Sequence, residues 1–390
     1  MMKPITIGLA GAGRAAELHM AGYRYCNLPL RFKTIVSVRI ERCRQARDLY
    51  GFENAACSFD SLLHDPEIDV IDICAPPYAH EDMIIRALKA EKHVICEKPL
   101  TGYFGKQGDS EPVGDKVSKE LMYRRIQADL QNLSAAVKSS GRKFMYAENF
   151  VYAPAVLKAG EIVRAKKSRI LYMKGEESLK GSSSPVAGRW SKTGGGIFVR
   201  NGVHPLGAIL WLKQQEAKAR GVAIGIKSVM ADMGYSVRSL NEYESRHISA
   251  KPFDVEDSGT AVVTFTDGTK ALVIATDNLL GGSKNYVELY CNDSAMTCNL
   301  TMNNAMETYM ADEDGMDDVY ISEMLPMKTG WNKPFIADEM LRGYINEMQD
   351  FMAAIYYDRQ PESGFALAAD TIRIIYAAYL SGESGRRVDF

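Results

Sequence analysis

The stretch "PITIGLAGAGRAAELH", residues 4–19, leaves this chain few ways to fold. A short apolar run with the look of a buried strand ends in Gly11-Ala12-Gly13 and passes straight into a helix-forming segment. Gly11, Gly13 and Ala16 fit the spacing G-x-G-x-x-G/A. In that pattern the first glycine allows a tight turn and the second lets a pyrophosphate approach the backbone. The third small residue lets helix and strand pack closely, and the helix N-terminus offers N–H groups to phosphate. In its strand–turn–helix context the motif predicts a dinucleotide site built on Gly11, Gly13, Arg14 and Ala16.

The next segments extend this unit. A second strand, "FKTIVSV" (32–38), ends at Arg39, with Arg42 and Arg44 close behind. An acidic residue here would bond the adenosine ribose 2′-hydroxyl, whereas an arginine suits a 2′-phosphate, so Arg39 leans the expectation toward NADP over NAD. "DVIDICAP" (69–76) is a further strand closed by Pro76-Pro77, "AHEDMIIRALKAEK" an amphipathic helix, and "HVICE" the next strand. Short apolar strands alternating with helices predict a parallel, doubly wound sheet, whose ligands gather at the strands' carboxyl ends. Lys98 of Glu97-Lys98-Pro99 stands at such an end. An ammonium there can hydrogen-bond a substrate hydroxyl, with Glu97 to orient it, or form an ordinary strand-end salt bridge, which the tripeptide alone favours.

A chain of 390 residues is too long for one ordinary core, and two domains are expected. A net charge of −2 gives no electrostatic reason to expect nucleic acid or an anionic membrane as partner. No run approaches the ~18 apolar residues of a membrane span. The opening "MMKPITIGLAGAG" lacks a signal-peptide cleavage pattern. The seven cysteines contain no CxxC pair, so neither a disulfide framework nor a zinc site is expected and the metal prediction is none. Together these features predict a cytoplasmic protein with reduced thiols.

Several motifs resemble the Gfo/Idh/MocA oxidoreductases, the family of glucose–fructose oxidoreductase and inositol dehydrogenase. They are "GLAGAGRAAELH" (8–19), "DVIDICAPPYAH" (69–80), "HVICEKPL" (93–100), "YAENFVYAPAV" (146–156) and "GGGIFVRNGVHPLG" (194–207), with "VEDSGTAVVTFTDGT" (255–269) and the closing "GYINEMQDFMAAIYYDRQPE". The resemblance implies a Rossmann domain over 1–150 and an α+β domain with a large, mainly antiparallel open sheet over 151–345, followed by C-terminal helices (346–390) that return to the first domain. It implies a hydride transfer between nicotinamide and a secondary alcohol of a sugar, cyclitol or glycoside, in a homodimer or homotetramer. Lys98 matches the family's catalytic lysine and His204 its usual general base. Pro76, His80 and Glu97 join the cofactor-binding set, and Asn149, Tyr152, Arg200 and Asn201 the substrate-binding one. Apart from the resemblance, Trp331 in "KTGWNKPF" is a substrate-binding candidate that can stack on a sugar ring or pack under a loop. The "EKPLTGYFG", "YAENFVYAP" and "GVHPLG" elements also look like members that oxidise the 3-hydroxyl of glucosides. The alternatives are a redox-neutral glycosidase with tightly held NAD and a non-catalytic nucleotide sensor.

The second half reads as strands, with Asp267-Gly268 a hairpin turn. Three glycines, 194–196, allow close backbone approach to a ligand, and His204 then opens an apolar helix. Arg200 stands where the commoner family pattern, Asp-x-x-x-His, has its acid, and is read as a holder of substrate carboxylate, phosphate or hydroxyls. Residues 101–125 form a polar insertion, expected as an exposed excursion. Residues 311–320 form an acidic run expected as a solvated loop.

Overall fold

The computed structural model describes residues 3–182, 184, 186–301, 308–310, 312–314, 329–332 and 338–390. Its first sheet comprises β1 (Ile5–Ala10), β2 (Leu30–Val36), β3 (Asn54–Ala56), β4 (Val70–Ile73), β5 (His93–Glu97) and β6 (Phe144–Ala147). The order is β3-β2-β1-β4-β5-β6 and every pairing is parallel. Helices cover both faces of such a sheet, which is why β1 and β4 are buried at every position. Strand order reverses between β1 and β4, and this switch opens a crevice at their carboxyl ends. The helix Arg14–Tyr23 starts at that crevice.

The second sheet holds β7 (Ile170–Leu179), β8 (Ile226–Gly234), β9 (Ser258–Phe265), β10 (Lys270–Thr276), β11 (Ser283–Cys291) and β12 (Ala295–Asn299). A short two-stranded ladder, β13 (Thr308–Met310) with β14 (Gly330–Asn332), stands apart, and β15 (Val388–Asp389) closes the large sheet beside β8. The order in the large sheet is β12-β11-β7-β10-β9-β8-β15; β7 and β10 pair in parallel and all other neighbours antiparallel. Ala261, Val263, Phe265, Ala271, Val273 and Ala275 alternate onto the buried face, as a half-covered sheet requires. The Asp267-Gly268 turn joins β9 to β10, with Gly268 at φ +90° and the Asp267 carboxylate accepting from the Thr269 amide.

The last helices hold the two sheets together. Tyr344–Tyr356 packs on Arg14–Tyr23, where Gly22 allows the approach: a Cβ there would lie 2.5 Å from the Tyr344 carbonyl oxygen. Phe365–Ser384 packs on both the helix Lys119–Ser140 and β8.

The structure corrects two expectations. Residues 101–125 are exposed only in part: positions 106–108, 110 and 111 are exposed, while both flanks of this stretch are anchored. Tyr103, Val113 and Val117 are buried, the Tyr103 amide donates to the Tyr376 hydroxyl, and the Gly114 amide donates to Asp254. From Lys119 onward the segment is already helix. Apolar side chains spaced along the loop pull this polar-looking stretch into the seam between the sheets. The three glycines 194–196 serve protein contacts. A Cβ on Gly195 would stand 2.2 Å from the Tyr379 hydroxyl and one on Gly196 2.0 Å from the Glu256 carbonyl oxygen. The buried Glu256 carboxylate accepts from the amides of Gly196 and Phe198 and from the Tyr379 hydroxyl. The 311–320 run lies outside the described residues except for the exposed positions 312–314.

Candidate active site

Gly11 follows β1 with φ +121° and donates its amide to the Val36 carbonyl at 2.8 Å. A Cβ there would sit 2.3 Å from the Cys74 carbonyl oxygen, so only glycine fits between β2 and β4. Gly13 is the N-cap of Arg14–Tyr23, a position without a side-chain cap, and nothing lies within 4 Å of where its Cβ would stand. Uncapped amides facing open space fit a pyrophosphate. Ala16 is fully buried under the turn, and Arg14 pairs with Glu17 at 2.9 Å on the surface. Arg39 is exposed at the N-cap of Ile40–Tyr50.

Pro76 leads the short turn Pro77–Ala79 beside this crevice. His80 lies behind it, fully buried, with Nδ1 2.9 Å from the Pro99 carbonyl oxygen and Nε2 2.9 Å from that of Ala75. Burial lowers its pKa, and the neutral ring donates to one carbonyl at a time. It therefore ties the exits of β4 and β5 together rather than facing the crevice.

Lys98 follows β5. Its amide donates to Glu97 Oε2 at 2.8 Å, and its Nζ donates to the Arg200 carbonyl oxygen at 2.7 Å. Glu97 thus orients the lysine through its backbone, while the ammonium is steadied from the second domain. Arg200 does not hold its guanidinium out for a substrate. That group pairs with Asp277, a 4% exposed carboxylate after β10. The arginine that replaces the family's acid works as an internal tie, and its carbonyl is what reaches the site.

His204 opens the helix Val203–Arg220 and is 4% exposed. Its Nδ1 lies 2.6 Å from Glu148 Oε1, and its ring stacks on Phe150 at a centroid distance of 5.0 Å. Glu148 fits beneath the helix because residue 207 is glycine: a Cβ there would lie 2.6 Å from Glu148 Cγ. With Nδ1–H donated to that carboxylate, the Nε2 lone pair faces the opposite way. Glu177 Oε2 stands 4.0 Å from Nε2, and Glu177 Oε1 accepts from Asn201 Nδ2 at 3.0 Å.

Neither glutamate stands out in the sequence, though signals exist. Glu148 lies one residue beyond the carboxyl end of β6, the same criterion that selects Lys98. Glu176 and Glu177 are adjacent in β7, so their side chains point to opposite faces and one must meet the helix layer. Two residues expected at the site are engaged elsewhere. Asn149 Nδ2 donates to the Arg342 carbonyl, and the Tyr152 hydroxyl donates to Asp350 at 2.7 Å while accepting from the Ser363 amide. Both are buried and staple the C-terminal helices to the core. Trp331 stands on β14 with 72% of its surface exposed.

Behind Lys98 runs a buried polar chain that spacing does not reveal. His19 Nδ1 lies 2.9 Å from Asp72 Oδ2 and its Nε2 3.3 Å from Glu97 Oε1, while the Tyr23 hydroxyl donates to Asp72. Cys74 Sγ is 3.4 Å from His19 Nδ1, so His19, Asp72 and Cys74 bring ligand-type atoms within 4.8 Å of one another. Their contacts are those of a hydrogen-bonded pair with a thiol beside it. Burial alone would lower the His19 pKa; the Asp72 charge and hydrogen bond outweigh it and hold the imidazole well above its usual value. A group raised on folding adds stability that is fully present below its unfolded value of about 6.5 and is lost as pH rises through the folded value. His19→Gln should therefore narrow its stability deficit as pH climbs from 6 toward 9. Urea unfolding across that range checks this, and a deficit that widens with pH would refute the charged imidazole.

The doubly wound parallel sheet and its glycine turn define a dinucleotide-binding fold. Residues 5–106 match the family description "Oxidoreductase family, NAD-binding Rossmann fold" and residues 150–297 the "GFO/IDH/MocA C-terminal domain". The chain belongs to the GFO/IDH/MocA oxidoreductase family. It is 25% identical over 375 residues to levoglucosan dehydrogenase of Pseudarthrobacter phenanthrenivorans, covering 91% of this chain and 90% of that protein. It is 22% identical over 377 residues to D-glucoside 3-dehydrogenase of Escherichia coli, covering 90% and 95%. A solved structure of levoglucosan dehydrogenase in complex with NADH and levoglucosan superposes at a TM-score of 0.72, with 21% identity and 99% of each chain covered. The family description names NAD and that structure carries NADH, so the lean toward NADP drawn from Arg39 is not supported. Among the described residues no helix is long and apolar enough to cross a membrane.

Proposed function

We propose that this protein oxidises a secondary alcohol of a sugar, cyclitol or glycoside with NAD, with Lys98 and His204 as the catalytic residues. The observation that carries the reading is that one short segment serves both: the Arg200 carbonyl holds Lys98 Nζ, and His204 follows four residues later.

Gly11, Gly13, Arg14, Ala16 and Pro76 would hold the dinucleotide, and the bound nicotinamide supplies the hydride acceptor. Lys98 keeps donors beyond the one given to Arg200, and these meet the substrate's reacting oxygen. His204 Nε2 takes the hydroxyl proton as the carbinol hydrogen leaves with its electron pair, so a ketone forms and the proton stays on imidazole. The Glu148 carboxylate fixes the tautomer that makes Nε2 the base and stabilises the imidazolium that results. Lys98 lowers the cost of the developing alkoxide. The kinship to levoglucosan dehydrogenase and D-glucoside 3-dehydrogenase supports a carbohydrate substrate and makes the 3-hydroxyl of glucosides the first position to try. The open face of the second sheet, with Met230, Val262 and Leu272 in adjacent register, suits the homo-oligomer expected of the family.

The test is absorbance at 340 nm with NAD⁺ or NADP⁺ and a panel of sugars, inositols, levoglucosan and glucosides. A rise with NAD⁺ and one alcohol class is expected. A flat trace from protein that binds nucleotide would refute net dehydrogenation and favour a redox-neutral glycosidase or a sensor.

A further inference from the structure

The floor beneath His204 is built with more polarity than proton transfer needs. Gly175 on β7 has no side chain, and a Cβ there would lie 2.8 Å from Pro205 Cβ, so the start of the Val203–Arg220 helix presses onto the strand. Glu177, two residues further along the same face, is thereby brought under His204. It is 3% exposed, one oxygen is bonded to Asn201, and the other, Oε2, has no hydrogen-bond partner. At 4.0 Å from His204 Nε2 it is too far to be bonded to the ring.

The neighbouring strands complete the row. Residue 177 faces Asn285 on β11 and Ala275 on β10. Asn285 is 6% exposed, and its Oδ1 also lacks a partner. Ala275 offers no polar side-chain atom on the other side. Two buried acceptors left unbonded side by side are costly, and a ligand that donates hydrogen bonds to them removes the cost. His204 Nε2 and Glu177 Oε2 also sit as two acceptors on one wall, at a separation that two hydroxyls on adjacent carbons can meet.

We infer that Glu177, assisted by Asn285, is a specificity-determining residue that accepts a hydrogen bond from the hydroxyl next to the one being oxidised. The substrate is then a vicinal diol with one hydroxyl on His204 and Lys98 and its neighbour on Glu177. The acid missing from position 200 is thus supplied from β7. This rests on the proposed dehydrogenase reading and deepens it.

The experiment is a cycle between protein and ligand. Wild type, Glu177→Gln, Glu177→Ala and Asn285→Ala are assayed with NAD⁺ on methyl β-D-glucopyranoside and its 2-deoxy and 4-deoxy analogues. The same compounds are titrated by calorimetry into the NADH-loaded proteins, where no turnover occurs. Wild type should prefer the parent over one deoxy analogue by about 10- to 100-fold, the effect of a hydrogen bond to a charged group. Glu177→Ala should erase that preference by weakening the parent alone. Glu177→Gln, which keeps the shape, should lie between. Equal losses on parent and deoxy compounds would make Glu177 a partner of His204 and overturn the inference, as would no binding of the parent glucoside by the NADH-loaded protein. A flat 340 nm trace with normal, Glu177-dependent binding would count against the proposed reaction only.

Discussion

Lys98→Met should lower kcat by about 10²- to 10³-fold while leaving the affinity for NAD nearly unchanged. Methionine keeps most of the apolar stem and removes the ammonium, so the Arg200 carbonyl loses one partner and the reacting oxygen loses its cation. The glycine turn that would receive the pyrophosphate lies at the exits of β1 and β4 and is untouched. The measurement is steady-state turnover at 340 nm beside titration of the protein's fluorescence with NAD. A parallel fall in turnover and NAD affinity would mean that Lys98 serves the cofactor or the fold. Lys98→Arg, which restores a cation with different geometry, should recover only part of the rate.

The second large effect is expected at Glu148. This carboxylate is fully buried, and its short contact with His204 Nδ1 decides which nitrogen carries the proton. In Glu148→Gln the amide can present an N–H to Nδ1, which then accepts, and the imidazole proton moves to Nε2. The base would face its substrate with the wrong nitrogen state, and the imidazolium formed in the reaction would lose its counter-charge. A loss of about 10²- to 10⁴-fold in kcat/KM is expected, the range for a mispositioned general base. Because Glu148 acts through His204, the double variant Glu148→Gln/His204→Ala should be no slower than His204→Ala alone. Losses that multiply would show two independent roles. Thermal unfolding of each variant separates catalytic from structural damage, since Glu148 also accepts from the Phe150 amide.

Several buried carboxylates, Asp72, Glu97, Glu148 and Glu347, lie around these groups. Glu347 is fully buried with neither carboxylate oxygen bonded, and burial pushes its pKa well above the usual carboxylate range. His19 works against that rise, while Glu97, Glu148 and Asp72 add to it. Glu97 goes the other way: burial would raise it, but His19 and Lys98 hold it below its usual value. The same buried imidazole thus keeps charged the carboxylate that orients Lys98.

Much of this protein can be read along the chain. The glycine turn at 11–16 is legible because it depends on residues that are neighbours in sequence, with the strand before it and the helix after it. The parallel sheet follows from alternating apolar runs, and the hairpin at Asp267-Gly268 from turn chemistry. Lys98 is legible because a strand's carboxyl end is a place that a sequence pattern can locate. The roles of Arg200, Tyr152, Glu148 and Glu177 were decided only in three dimensions. Arg200 faces Asp277, Tyr152 faces Asp350, and His204 collects Glu148 from just past β6 and Glu177 from β7. These partners are separated by tens to hundreds of residues, and no spacing rule reaches that far. The choice among candidate partners was made by packing, through the missing side chains of Gly175 and Gly207, which let one helix settle close enough to the sheet for its histidine to find both acids.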